Sequence, residues 1–289
     1  MFDVVIIGNG PAGVSAALYT KRANLNTLVI GKDNGALEKA ERIDNYYGFP
    51  GGISGIELIK SGLKQLKDLG VDYLQEEVIT IEYDNGIFSV GTNKGKYITR
   101  TVILATGVSR ITTKLEGIKE FEGKGVSYCA VCDGFFFKDK DVAVLGSGDY
   151  AINEVQELLP LAKSVSILTN GKERVNLRDN RIKVYDNKIK RLSGNDRLEK
   201  VEFVDNFAID ISGVFVAEGK ATSVDFARRI GAIIDGNNIV VDSNFMTNID
   251  GLFAAGDAIG GLLQISKAVS DGAKAGISVI NYVRDRKNK

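Results

Sequence analysis

Both cysteines of this 289-residue chain fall in one stretch, Cys129-Ala130-Val131-Cys132-Asp133-Gly134. A C-x-x-C spacing can close a small redox-active disulfide, and the carboxylate of Asp133 directly after it could shuttle a proton. Half of a zinc site is a competing reading, but the chain has no further cysteine and no histidine to complete it. Two incidental core cysteines are the third. The same census removes every His-based triad, every His metal site and every four-thiolate zinc or iron–sulfur site. Chemistry here rests on carboxylates, thiols or a bound cofactor.

The elements that must position such a centre are marked by glycine, at 33 of 289 residues well above the usual ~7%. Residues 2–7 form a short apolar run, read as a buried parallel strand, followed at once by Gly8-Asn9-Gly10-Pro11-Ala12-Gly13 and a helical pattern over 14–23. This is a dinucleotide fingerprint. Gly8 allows the tight turn, Gly10 lets the backbone approach a pyrophosphate, Gly13 lets helix and strand pack closely, and the helix start presents N–H groups to phosphate. A second strand at 27–30 follows at the right distance, but where the fingerprint ends in an acid the chain reads Gly31-Lys32-Asp33, leaving the ribose contact unassigned. A second unit of the same kind runs from Asp141 through Gly146-Ser147-Gly148-Asp149-Tyr150-Ala151 into a helix at 152–161. Strands at 101–104, ending in Ala105-Thr106-Gly107, and near 251–257 add apolar segments capped by small residues, where ligands sit in doubly wound sheets. The expected fold is α/β, with two Rossmann-like, three-layer nucleotide-binding domains.

Length leaves room for one large or two ordinary domains. Thirty-seven Lys plus Arg balance thirty-seven Asp plus Glu, so no global field exists to hold nucleic acid or an anionic bilayer. No segment offers ~18 uninterrupted apolar residues, and no apolar leader precedes the first strand, so no membrane association and a cytoplasmic location are expected.

With these motifs in view, the chain resembles the low-molecular-weight flavoprotein thioredoxin reductases over essentially its full length. The matching pieces are residues 8–13, 34–37, 43–47, 105–107, 129–134, 253–257 and 264–265. The resemblance implies a discontinuous FAD domain, residues 1–112 and 242–289, with a domain of residues 113–241 inserted into it, and a homodimer formed through the FAD domain. It implies that Gly8, Gly10, Pro11, Ala12 and Gly13 face the FAD pyrophosphate, with Gly31, Lys32 and Val78 also in the cofactor site. Gly35, Ala36, Leu37, Asn45, Ala105, Thr106 and Gly107 would line the flavin and ribityl regions. Gly256 and Asp257 would meet the ribityl or phosphate side, with Gln264 and Ile265 closing over the ring.

The departures from that pattern concern the second nucleotide. An NADPH-using member carries a His-Arg-Arg run and a further Arg after the second fingerprint, holding the 2′-phosphate by charge-assisted bonds. Here Thr169-Asn170-Gly171 stands at that place, Ser147 replaces a usual glycine, and bulky Tyr150 takes the position of a small Ser or Thr. The chain is also shorter here than the family pattern. Residues 172–191 nevertheless hold eight cations against three acids. Three readings of that stretch stay open: Lys172 and Arg174 reaching a 2′-phosphate, a solvated basic face, or a docking patch for an acidic protein.

The resemblance, with these departures, points to the pyridine-nucleotide-independent, ferredoxin-linked branch of the family. Ferredoxin delivers electrons singly, a disulfide needs two, and a flavin bridges the two modes. A plant-type iron–sulfur donor at ~−400 mV and thioredoxin at ~−270 mV differ by ~130 mV, roughly 6 kcal/mol downhill for two electrons. By the family pattern Cys132 meets the flavin and attacks the thioredoxin disulfide, Cys129 resolves the mixed disulfide, and Asp133 protonates a departing thiolate. Segments 110–117 and 242–248 would be the hinges of a rotating inserted domain. An ordinary NADPH-dependent reductase, a reductase of another disulfide protein, and a flavin-binding sensor are the alternatives.

Overall fold

The structure, a computed structural model, describes residues 1–107, 114–172, 182–219 and 221–287. The chain divides into two compact units, Met1–Val108 with Thr222–Lys289, and Ser109–Ala221.

In the first unit, strand β1 (Phe2–Ile7) leads into helix α1 (Pro11–Arg22) and strand β2 (Thr27–Ile30), the parallel β–α–β arrangement that the apolar run and glycines predict. The helix begins at Pro11, earlier than the apolar pattern suggests, because proline has no N–H to lose in a first turn and its φ is already helical. Helix α2 (Gly55–Asp68) starts at a capping box made by Ser54 and Glu57. Strands β3 (Asp72–Leu74), β4 (Val78–Asp84), β5 (Ile87–Thr92) and β6 (Lys96–Leu104) complete this segment. The long β6 serves two pairings: Thr101–Leu104 lie parallel to β1, while its earlier half joins the antiparallel β4–β5 hairpin.

The second unit repeats the plan. Strand β7 (Val126–Ser127) is followed by the short helix α3 (Ala130–Asp133) that carries the cysteines. Next come β8 (Asp141–Leu145), helix α4 (Asp149–Leu158) and β9 (Ser164–Leu168). Strands β10 (Lys183–Tyr185), β11 (Ile189–Gly194), β12 (Leu198–Phe203), β13 (Ala208–Asp210) and β14 (Gly213–Val216) end the unit. A parallel sheet runs β10-β9-β8-β14-β7, and β11-β12-β13 form an antiparallel sheet. Leu145, Leu168 and Val214 from the first sheet share a core with Leu192, Val201 and Phe203 from the second.

Returning to the first unit, helix α5 (Ser223–Arg229) precedes the small pair β15 (Ile234–Asp235) and β16 (Asn238–Ile239). Strand β17 (Leu252–Ala254) lies parallel to β6, and helix α6 (Ile265–Lys287) packs along α1. The sheet therefore runs β3-β2-β1-β6 with β17 beyond β6. Close approach of α6 to α1 requires small residues: a Cβ on Gly272 would stand 2.0 Å from the Ala12 carbonyl oxygen. Among the described residues no helix is long and apolar enough to cross a membrane.

The second boundary differs from the expected 241. Residues 222–241 belong with the first unit because α5 packs on β4, and β16 on the turn Gly256–Ile259. Segment 242–248, expected as a hinge, is instead a pinned turn within the first unit. Asp242 accepts from the N–H of Asn244 and Met246 at 2.8 and 2.9 Å, and Met246 bridges to Phe253. The expected boundary at 112, residues 110–113 of the other hinge segment, and Arg174 lie outside the described residues.

Candidate active site

Cys129 and Cys132 are joined in a disulfide. Cys129, buried at 5% exposure, caps α3 and its Sγ accepts the Cys132 N–H at 3.2 Å. Cys132 is exposed, so an incoming sulfur meets it first. Asp133 follows on the same turn. Its carboxylate accepts the Ser127 hydroxyl at 2.6 Å, and the Ser127 oxygen accepts the Cys129 N–H at 3.1 Å. The acid and the inner cysteine are thus tied through one serine. Beneath the turn, the Ala130 N–H donates to Glu154 of α4 at 2.6 Å. Glu154 is only 2% exposed, among Tyr150, Ala151, Val155 and Leu158 on the buried side of that helix. Neither Ser127 nor Glu154 is among the expected site residues. A charged residue recurring on an apolar helical stripe is the signal that marks Glu154.

Of the expected cofactor residues of the first unit, Gly8 to Gly13, Gly31 and Lys32, Ala105 to Gly107, and Gly256 and Asp257 follow the carboxyl ends of β1, β2, β6 and β17. Gly8 and Gly13 have reasons internal to the protein. Gly8 holds φ of +116°, and a Cβ at Gly13 would stand 1.8 Å from the Gly8 carbonyl oxygen. Gly10 has none: its backbone is extended, and a Cβ there would meet no described atom within 4 Å. The first turn of α1 has no side-chain cap and no acid, so its N–H groups remain for an anion. Gly107 also faces open space after Ala105 and Thr106, and Gly35 does so at the start of the turn Gly35–Lys39 that holds Ala36 and Leu37. Asn45 donates to Gln264 at 3.0 Å across 219 positions, bringing two of the expected residues together just before α6 begins at Ile265. Gly256 and Asp257 open the turn after β17.

At the end of β2, Asn9 packs against Gly31 and donates to the Tyr73 hydroxyl at 3.2 Å, and burial holds that phenol above its ordinary pKa. Lys32 is engaged by the buried Glu77 at 2.5 Å, next to Val78 at the start of β4. A flavin dinucleotide fits the first cradle: an open glycine, uncapped helix N–H groups and no acid in the first turn of α1.

The second fingerprint keeps the backbone but changes its chemistry. Gly146 crosses close to Ala217 as Gly8 does to Ala105, yet α4 begins with Asp149, an acid in the first turn where α1 has Pro11. Tyr150, at the place of Ala12, is buried and its hydroxyl donates to the Tyr128 carbonyl. Past β9, Thr169 is fully buried, Asn170 accepts the Ile189 N–H at 2.9 Å, and Lys172 pairs with the buried Glu218 at 2.6 Å.

A family model for pyridine nucleotide-disulphide oxidoreductases matches residues 2–272. The thioredoxin reductase of Aquifex aeolicus is 34% identical over 309 residues, covering 99% of this chain and 95% of that protein. That of Bacillus subtilis is 34% identical over 306 residues, with 99% and 96% covered. Among solved structures, the atypical thioredoxin reductase TRi from Desulfovibrio vulgaris Hildenborough is similar at a TM-score of 0.93 and 41% identity, covering 99% of both chains. A ferredoxin-flavin thioredoxin reductase from Clostridium acetobutylicum gives 0.72 at 31% identity, covering 100% of this chain and 99% of that one. Likeness over the whole length accords with the disulfide and the paired Rossmann-like units. The chain belongs to the pyridine nucleotide-disulphide oxidoreductase family, as a flavoprotein disulfide oxidoreductase of the thioredoxin reductase type.

Proposed function

We propose that this protein carries electrons from reduced ferredoxin, by way of FAD, to the disulfide of thioredoxin. The observation that carries the choice of donor is the chemistry of the second fingerprint. An NADPH site needs free helix N–H groups for the pyrophosphate and cations for the 2′-phosphate. Here Asp149 opposes a phosphate at the helix start, Tyr150 fills the place of a small side chain, and Lys172 is already paired with Glu218. The solved relative from Clostridium acetobutylicum, named a ferredoxin-flavin thioredoxin reductase, supports the same choice.

FAD supplies a carrier that accepts electrons singly and delivers them in pairs. Gly8, Gly10, Pro11, Ala12 and Gly13 would hold its pyrophosphate, and Asn45, Asp257 and Gln264 its flavin end. In the reduced protein the exposed Cys132 attacks the acceptor disulfide, and one acceptor sulfur leaves. The buried Cys129 then displaces the second, restoring the Cys129–Cys132 bond and releasing a dithiol. Asp133, which accepts from Ser127, would relay a proton to a departing sulfur.

The test is anaerobic mixing of the flavoprotein with reduced ferredoxin and, separately, with NADPH and NADH, following flavin absorbance. Ferredoxin is expected to bleach the flavin, and with thioredoxin present to yield thioredoxin dithiol, while the nucleotides at millimolar levels do not. Bleaching by micromolar NADPH within seconds would overturn the donor assignment in favour of an NADPH-dependent reductase.

A further inference from the structure

We propose that Glu154 is ionised in the folded protein and sets the reducing power of the Cys129–Cys132 couple. Its carboxylate, 2% exposed, accepts the Ala130 N–H at 2.6 Å, directly beneath the turn on which a thiolate must form. The Cys132 N–H points to Cys129 Sγ at 3.2 Å, while the Ala130 N–H is given to Glu154. The Ala130 N–H, in the peptide that follows Cys129, fixes the carboxylate next to the redox turn, and the ionised carboxylate adds its own charge to the neighbourhood.

Charge acts on the two redox states unequally. The disulfide is neutral, whereas the dithiol reacts through a thiolate, so a buried negative charge raises the energy of the reduced state alone. A couple whose reduced state is destabilised gives its electrons up more readily, the reverse of a strong oxidant whose reduced form is stabilised. Glu154 is a positioning residue in this account. It fixes the turn through Ala130 and weights the equilibrium towards reduction of an acceptor. Asp133, at the end of the turn, carries a second carboxylate, which is less buried and accepts from the Ser127 hydroxyl.

Charge and geometry separate in two variants. Glu154→Gln keeps an oxygen that accepts from Ala130 and loses the charge; Glu154→Asp keeps the charge and shortens the reach. The intact flavoprotein is equilibrated with graded ratios of dithiothreitol and its cyclic disulfide, then the protein thiols are counted by a mass tag. One protein S–S bond breaks as one reagent S–S bond forms; two electrons pass to the protein sulfurs, with two protons where both stay thiols and one where a thiolate forms, the other proton going to the buffer. Near pH ~8.5, where an ordinary cysteine is about half ionised, Glu154→Gln is expected to shift the constant towards reduced protein. The expected shift is about tenfold, or ~30 mV for two electrons. Glu154→Asp is expected to stay near wild type. Glu154→Ala, which loses charge and hydrogen bond together, shifts in the same direction as Gln and serves if the Gln variant does not fold. An unchanged constant in both neutral variants, or equal shifts in Gln and Asp, would overturn the proposal. Neither donor nor acceptor protein enters this titration, so its outcome is independent of the ferredoxin assignment.

Discussion

Thr106 and Ser223, 117 positions apart, hold each other by reciprocal hydrogen bonds. The Thr106 N–H donates to Ser223 Oγ at 3.0 Å, the Ser223 N–H donates to Thr106 Oγ1 at 2.7 Å, and the hydroxyl oxygens lie 2.8 Å apart. These residues flank the points where the chain leaves the first unit and returns to it. Ser223 is fully buried and Thr106 half-buried, so Ser223→Ala leaves the Thr106 N–H without its acceptor. The expected cost is about 1–3 kcal/mol. Release of bound flavin on heating, read by its fluorescence, reports the stability of this unit, and the variant is expected to release flavin at lower temperature. Thr106→Ser, which retains both polar atoms, is expected to remain close to wild type.

Burial separates the two cysteines: Cys129 is 5% exposed and Cys132 lies open. If Cys132 attacks the acceptor and Cys129 resolves, Cys129→Ser stops the reaction after the first step. A covalent adduct with thioredoxin is then expected on a non-reducing gel, dissolved by dithiothreitol. Cys132→Ser is expected to give no turnover and far less adduct, because its remaining sulfur is shielded. Equal adduct yields from the two variants would reverse the roles.

How far the sequence could carry the fold depended on the distance between partners. The β–turn–α units were legible because each glycine acts on its own neighbours, as Gly8 and Gly13 do within six residues. The redox turn was legible because both sulfurs lie on it. The return to the first unit at Thr222 carried a local mark of its own, the capping box of Thr222 and Asp225, which starts α5 well before the expected boundary at 241. Pairs such as Asn45 with Gln264, or Ala130 with Glu154, are formed by packing between distant segments. Nothing in either member's neighbours dictates its partner.

Arg191 and Glu202 face each other across β11 and β12 in a two-pronged pair, with Nε to Oε2 at 2.9 Å and the other prong at 3.0 Å. Hydrogen bonds from Arg191 first and then from Ser193, with the charge of Arg191, lower the Glu202 pKa from 4.5 to about 2. A depressed carboxyl pKa contributes stability above its unfolded value, lost as pH falls through the folded one, so this pair fades between pH 4.5 and about 2. Both side chains still reach water, so salt is expected to weaken the effect. Arg191→Met is expected to return the Glu202 midpoint towards 4.5, as read by carbon NMR of the carboxyl group.

Gly10 and Gly13 offer the sharpest separation of folding from cofactor binding. A methyl at Gly13 would stand 1.8 Å from the Gly8 carbonyl oxygen, so Gly13→Ala must displace α1 from β1. It is expected to cost several kcal/mol, at or beyond the ~1–3 kcal/mol typical of overpacking, and to leave little soluble protein. At Gly10 the same methyl meets no described atom within 4 Å and the backbone is already extended, so folding gives no reason for glycine there. A ligand's close approach gives one, since a pyrophosphate on the first turn of α1 would occupy the space of that methyl. Gly10→Ala is therefore expected to fold with the far-ultraviolet spectrum and thermal midpoint of the flavin-free wild type, yet to be purified with little flavin and to rebind FAD at least tenfold more weakly. Full flavin occupancy in that variant would show that the pyrophosphate lies elsewhere.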